Sequence, residues 1–125
     1  MADPVAALRS DGGMLTPLAV NYGPAATLAA LGTVIANAAP IVSRLTKVTG
    51  ADDAKGVILP ATAAPGDEFL IYSNAATAGL KVWPHVNGTI NDGAANAAVV
   101  QEGKSLGRYI NMDGTNWASS FVLNA

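Results

Sequence analysis

The sequence contains no cysteine and a single histidine, His85. Disulfide scaffolds are therefore excluded, as are thiolate nucleophiles and zinc sites built from Cys and His. Charge is also scarce. Charged residues make up 13% of the chain, about half the usual share, and 7 basic side chains stand against 9 acidic ones for a net charge of −2. Such a chain has no basic face with which to displace counterions from phosphates, which argues against nucleic acid as a partner. Aromatic residues are 6% of the total. Trp83, Trp117, Tyr72, Tyr109 and Phe121 are too few and too scattered for a stacking platform, and are expected as core or interface anchors.

Long hydrophobic runs are missing too. No charge occurs between Asp11 and Arg44, but Pro17, Asn21, Pro24, Asn37 and Pro40 interrupt the stretch. Its cleanest piece, residues 25–36, is shorter than the ~20 residues a spanning helix needs. The leading region carries Asp3 and Asp11 against Arg9 alone, where a secretory leader carries positive charge. The chain reads as soluble and unexported, with no membrane partner.

What remains is a chain of 125 residues in which half the side chains are hydrophobic. That content favours burial over disorder, and the length suits one domain with a tail. Alanine is the commonest residue, beside 13 Gly and 7 Pro. A core drawn largely from alanine is thin, because a buried methyl contributes a fraction of what Leu or Phe does. The composition thus predicts a domain that draws part of its stability from partners.

Residues 1–24 read as an arm. Proline, glycine and asparagine break any period, yet Val5, Leu8, Met14, Leu15, Leu18 and Tyr22 all favour burial against some surface. Residues 25–39 suit either a helix, through Leu28, Leu31 and Ile35, or a strand, through Thr27, Thr33 and Val34; the β character downstream favours the strand. Strands are predicted within 41–49, 55–59, 68–73, 80–85, 97–101, 106–112 and 117–123, with 68–73 central. Turn chemistry separates them at Asp52-Asp53, Pro65-Gly66-Asp67, Asn87-Gly88, Asn91-Asp92-Gly93 and Asp113-Gly114. Short strands at this spacing describe an all-β fold, a small β-sandwich or jelly-roll-like domain over residues 25–125 behind an extended N-terminal arm.

Motifs for catalysis are weak. Gly103-Lys104-Ser105-Leu106-Gly107 matches a nucleophile elbow by letter, but that elbow needs a following helix and a later histidine, whereas His85 comes earlier. The same stretch fails as a phosphate loop because Ala98 stands at the first glycine position. Asp52-Asp53 and Asp67-Glu68 lack calcium-loop spacing and read as solvated turns. No catalytic, cofactor or metal residue is assigned.

Several segments nevertheless occur in a telling order: Arg44-Leu45-Thr46-Lys47-Val48-Thr49, Gly56-Val57-Ile58-Leu59-Pro60-Ala61, Pro65-Gly66-Asp67, Asn74-Ala75-Ala76, Leu80-Lys81-Val82-Trp83-Pro84, Gly88-Thr89-Ile90-Asn91 and Asp113-Gly114-Thr115-Asn116-Trp117. Together they resemble a module of tailed-bacteriophage virion proteins, of the capsid-decoration or head-fibre type and some tail-fibre tips. The likeness covers about residues 40–121. It implies a β-rich, often trimeric domain on the virion exterior, made in the host cytoplasm, with no enzymatic activity and no cofactor. The expected partners are the major capsid protein and further copies of the chain, as a homotrimer. The arm residues Val5, Leu8, Met14, Leu15, Leu18 and Tyr22 are then candidate capsid contacts. His85, Asn87, Asp113 and Asn116 form a candidate adhesive surface for a host glycan.

Overall fold

A computed structural model describes residues 22–122 of the chain, with side chains through residue 120. Ten strands form two mixed sheets packed as a sandwich, so the all-β expectation holds. In chain order they are β1 (Ala26–Ala29), β2 (Ala39–Pro40), β3 (Leu45–Thr49), β4 (Gly56–Ile58), β5 (Glu68–Ser73), β6 (Leu80–Trp83), β7 (Thr89–Ile90), β8 (Val99–Gln101), β9 (Ser105–Asn111) and β10 (Asn116–Val122). The larger sheet runs β1-β3-β5-β9-β10-β7, and the smaller β2-β4-β6-β8.

The connectivity is unusual for a sandwich. From β1 to β6 the chain alternates between the sheets, and each strand lies parallel to its predecessor in the same sheet. The first six strands are thus wound like three turns of a flattened coil, the arrangement of short β-solenoids. Antiparallel strands close the third turn: β9 pairs with β5, and β8 pairs with β6. A jelly roll, the other form expected, is antiparallel throughout. Here the parallel ladders set the connectivity.

Period-2 patterning explains the strands. Burial alternates along β3, β5 and β9, so Val48, Ile71 and Tyr109 point between the sheets while their neighbours face outward. The smaller sheet contributes Ala39, Val57, Leu80 and Val82 to the same core. Among the described residues, Ala30 and Ala39 are the alanines that belong to that core; its bulk comes from Val, Ile, Leu, Phe, Tyr and Trp. The expected alanine core is therefore not what holds the sandwich together. The described alanines are otherwise in loops or on partly exposed positions.

Residues 25–39 form neither the continuous helix nor the continuous strand that the sequence allows, though the favoured strand is present in part. Ala26–Ala29 is a strand, Ile35–Asn37 one 3-10 turn, and Gly32 between them takes φ +67°. A side chain at position 32 would strike the Asn37 carbonyl, so the tight turn needs glycine. Leu31, which a helix would bury, is 52% exposed.

Candidate functional site

The β9–β10 hairpin, expected from Asp113-Gly114, is built by its own side chains. Asp113 Oδ1 accepts the Thr115 and Asn116 N–H groups at 3.0 and 2.9 Å, and its Oδ2 accepts the Asn116 amide at 2.8 Å. Asn111 Oδ1 takes the Gly114 N–H at 2.6 Å, with Gly114 at φ +99°. The Asn116 side-chain amide, followed by the two backbone N–H groups, holds the Asp113 carboxyl below the usual carboxylate range.

A second loop is fastened to this hairpin by the two-residue strand β7, which lies parallel to the start of β10. Thr89 Oγ1 donates to Asn116 Oδ1 at 2.5 Å. Asn91 exchanges two bonds with Ser119: its Oδ1 accepts the Ser119 N–H at 2.9 Å, and its Nδ2 donates to Ser119 Oγ at 2.8 Å. Past β7 the chain reverses on Asn91 and Asp92, both left-handed (φ +55° and +60°), as the Gly93 N–H closes on the Ile90 carbonyl. Asn and Asp tolerate that conformation better than other non-glycine residues.

Between the two loops lies a cleft of about 440 Å³ lined by Asn91, Asp92, Met112, Asp113, Asn116, Trp117 and Ala118. Two carboxylates and two amides face it beside the exposed thioether of Met112. Trp117 is 1% exposed, so it supports the cleft without presenting a ring face for stacking. Its ring packs against Phe69, 5.9 Å between centroids, and its Nε1–H donates to Nδ1 of His85 at 3.1 Å.

Of the four candidate adhesive residues, Asp113 and Asn116 line the cleft. His85 lies behind it as the acceptor for Trp117. Asn87 stands on the far limb of the loop, its N–H bonded to Asn96 Oδ1 at 2.6 Å. Of the other lining groups, Asn91 and Asp92 fall within the 85–93 turns that the sequence offers as a glycan-binding stretch without being singled out there, and Met112 lies outside it. The Asn91-Asp92-Gly93 turn was visible, but a two-residue strand has no period to reveal its pairing with β10.

Among the candidate capsid contacts, Val5, Leu8, Met14, Leu15 and Leu18 lie outside the described residues. Tyr22 is half-buried, and its hydroxyl donates to Glu68 Oε1 at 2.8 Å. Burial, then the adjacent Glu68 carboxylate, raises the Tyr22 phenol above its ordinary value; the bond from Tyr22, followed by Arg108, lowers the Glu68 carboxyl. Ser105 opens β9 rather than preceding a helix, and its hydroxyl donates to the Glu102 carbonyl at 2.5 Å. Only the first member of each acidic pair serves its turn: Asp52 Oδ1 accepts the Ala54 and Lys55 N–H groups, and Asp67 Oδ2 accepts that of Ala64. Asp53 Oδ1 instead accepts the distant Gly79 N–H at 2.6 Å, and Glu68 lies on β5.

Among the described residues, no group of three or more His, Cys, Asp or Glu is placed to hold a metal ion. None of their helices is long and apolar enough to cross a membrane. No family model, curated protein or solved structure matches the chain.

Proposed function

We propose that this chain is a structural virion protein that decorates or cements the outer capsid surface of a tailed bacteriophage. The observation that carries the reading is the ordered set of segments from Arg44 to Trp117 that resembles the virion-surface module. In the fold those segments are the strands and turns of one sandwich. The action is mechanical: arm residues Val5, Leu8, Met14, Leu15 and Leu18 engage the major capsid protein, and bridged capsomers separate only after added interfaces break. Tyr22, bonded to Glu68, is the junction that ties the arm to the domain. Self-association as a homotrimer multiplies the arms per particle, which strengthens attachment through effective concentration.

Co-sedimentation with capsids lacking the protein tests this reading. The full chain is expected in the capsid pellet, and a chain without residues 1–21 in the supernatant with unchanged circular dichroism. Pelleting that survives the deletion overturns the anchor role, and a full chain that stays in the supernatant overturns the virion role.

The meeting of the 85–93 and 113–117 loops at one polar cleft favours a second reading, a host-glycan binding module. Retention of the isolated protein on bacterial cells or a glycan array, lost in Asp92→Ala and Asn116→Ala, is its expected signature. Retention unchanged in both variants would remove the cleft from consideration.

A further inference from the structure

The cleft between the 85–93 and 113–117 loops is one-sided in charge: Asp92 and Asp113 line it, and no lysine, arginine or histidine does. Its hydrogen-bonding capacity is just as uneven. An ionised carboxylate has about four acceptor sites, and an amide has two N–H donors and one oxygen. Asp113 already accepts three bonds within the hairpin. Asn91 uses its oxygen and one N–H on Ser119, and Asn116 uses its oxygen on Thr89 and one N–H on Asp113. One N–H is left on each amide. The Asp92 carboxylate has no hydrogen-bond or ion-pair partner among the described residues. A ligand in the cleft therefore meets one whole carboxylate and two single N–H donors.

Those groups suit hydroxyls. A hydroxyl donates one bond and accepts others, so two adjacent sugar hydroxyls satisfy a carboxylate and an amide N–H together. An acidic group on the ligand brings acceptors where the cleft already has a surplus, and it faces two like charges. With Trp117 buried, no ring face is offered to the sugar, so the choice among ligands falls to the polar groups.

We infer that the cleft takes a neutral saccharide through vicinal hydroxyls and rejects acidic ones, with Asp92 setting the choice; the inference rests on the glycan-binding reading of this cleft. Asp92 is presented by a braced loop. Its neighbour Asn91 is bonded twice to Ser119 of β10, and the left-handed turn holds Asp92 itself at φ +60°. A group positioned in advance loses little freedom when a ligand arrives. Asp113 carries the second charge, but its oxygens also build the hairpin. Asp92 makes no such bond, so its charge can be removed without touching the scaffold.

An array that pairs neutral oligosaccharides of glucose, galactose and mannose with their uronic-acid counterparts tests the inference on the full chain. The wild type is expected to be retained on at least one neutral member, with the matching uronate at least about tenfold weaker. In 1 M salt, where the screening length is about 3 Å, that gap should narrow. Asp92→Asn suits the left-handed turn and is expected to keep native circular dichroism. It should weaken retention on the neutral sugar and narrow the gap to its uronate severalfold. A uronate held as tightly as its neutral counterpart, or a gap unchanged in Asp92→Asn, overturns the inference and leaves the glycan reading standing. Retention on no member of the array, or retention untouched by Asp92→Ala and Asn116→Ala, overturns the glycan reading of the cleft and the inference with it.

Discussion

The phenol of Tyr109 donates to Oε1 of Gln101 across 2.6 Å, and both side chains are at 0% exposure. Gln101 belongs to the smaller sheet and Tyr109 to the larger, so the bond spans the sandwich. The Gln101 amide completes the clamp, donating to the Ile71 and Ser105 carbonyls at 2.9 and 3.0 Å. A buried glutamine is tolerated because its oxygen and both amide hydrogens are used.

Tyr109→Phe should therefore leave Gln101 Oε1 buried without a donor, at a cost of about 1–3 kcal/mol read from the urea midpoint. Gln101→Leu should also destabilise, but Tyr109→Phe with Gln101→Leu should cost less than the two singles together. Additive costs in that cycle would show that the bond contributes nothing beyond packing.

Alkali should probe the same bond. Burial pushes the Tyr109 phenol well above its ordinary value of 10.0. A phenol raised in the folded state contributes stability that is intact below pH 10.0 and lost as pH climbs toward the folded value. Wild-type Tm is expected to fall progressively above pH 10, and Tyr109→Phe to show a shallower fall. Tyr22, raised in the same sense, should leave some decline in that variant. Equal slopes in the two proteins would contradict the assignment.

Gly107 stands opposite the clamp. A Cβ at that position would lie 2.5 Å from Gln101 Oε1 and 3.0 Å from Tyr109 Cε1. Gly107→Ala should displace the amide and cost about 1–3 kcal/mol, as overpacking usually does. Gly56→Ala should cost more, because its obstacle is the Lys81 backbone carbonyl, which cannot swing aside. Near-UV circular dichroism should register the displaced Trp83 in Gly56→Ala alone. Wild-type midpoints for both variants would refute this account of the two glycines.

Strands and turns were legible where chemistry is local. Leu45-Thr46-Lys47-Val48-Thr49 alternates, and Asp113-Gly114 turns, whatever surrounds them. Partners in the parallel ladders were not legible, because β1 meets β3 and β3 meets β5 only after the chain has visited the other sheet. The cleft was half legible for the same reason. Asp113 and Asn116 advertise a turn by their own bonds, whereas Asn91 and Asp92 reach it through Thr89 and Ile90, two residues whose pairing depends on β10 being in place. The alanine content misled outright, since composition does not say which residues lie between the sheets.

The hairpin beside the cleft should open on acidification. Asp113 is held ionised by the Asn116 amide and the Asn116 and Thr115 N–H groups, so its carboxyl lies below the ordinary value of 3.8. A carboxylate lowered in the folded state contributes stability that is present above that ordinary value and lost as pH falls through the lowered one. Amide exchange at Thr115 and Asn116, followed by NMR, is expected to lose protection across that interval in the wild type. Asp113→Asn keeps an Oδ1 acceptor for both N–H groups but has no proton to take up, so its protection should be independent of pH there. Asp113→Ala removes the acceptor and should leave both amides exchanging freely at neutral pH, with the cleft's Asn116 wall loosened. Full protection in Asp113→Ala would mean that Met112 and Asn116, joined through backbone atoms at 2.8 Å, close the turn without the carboxylate.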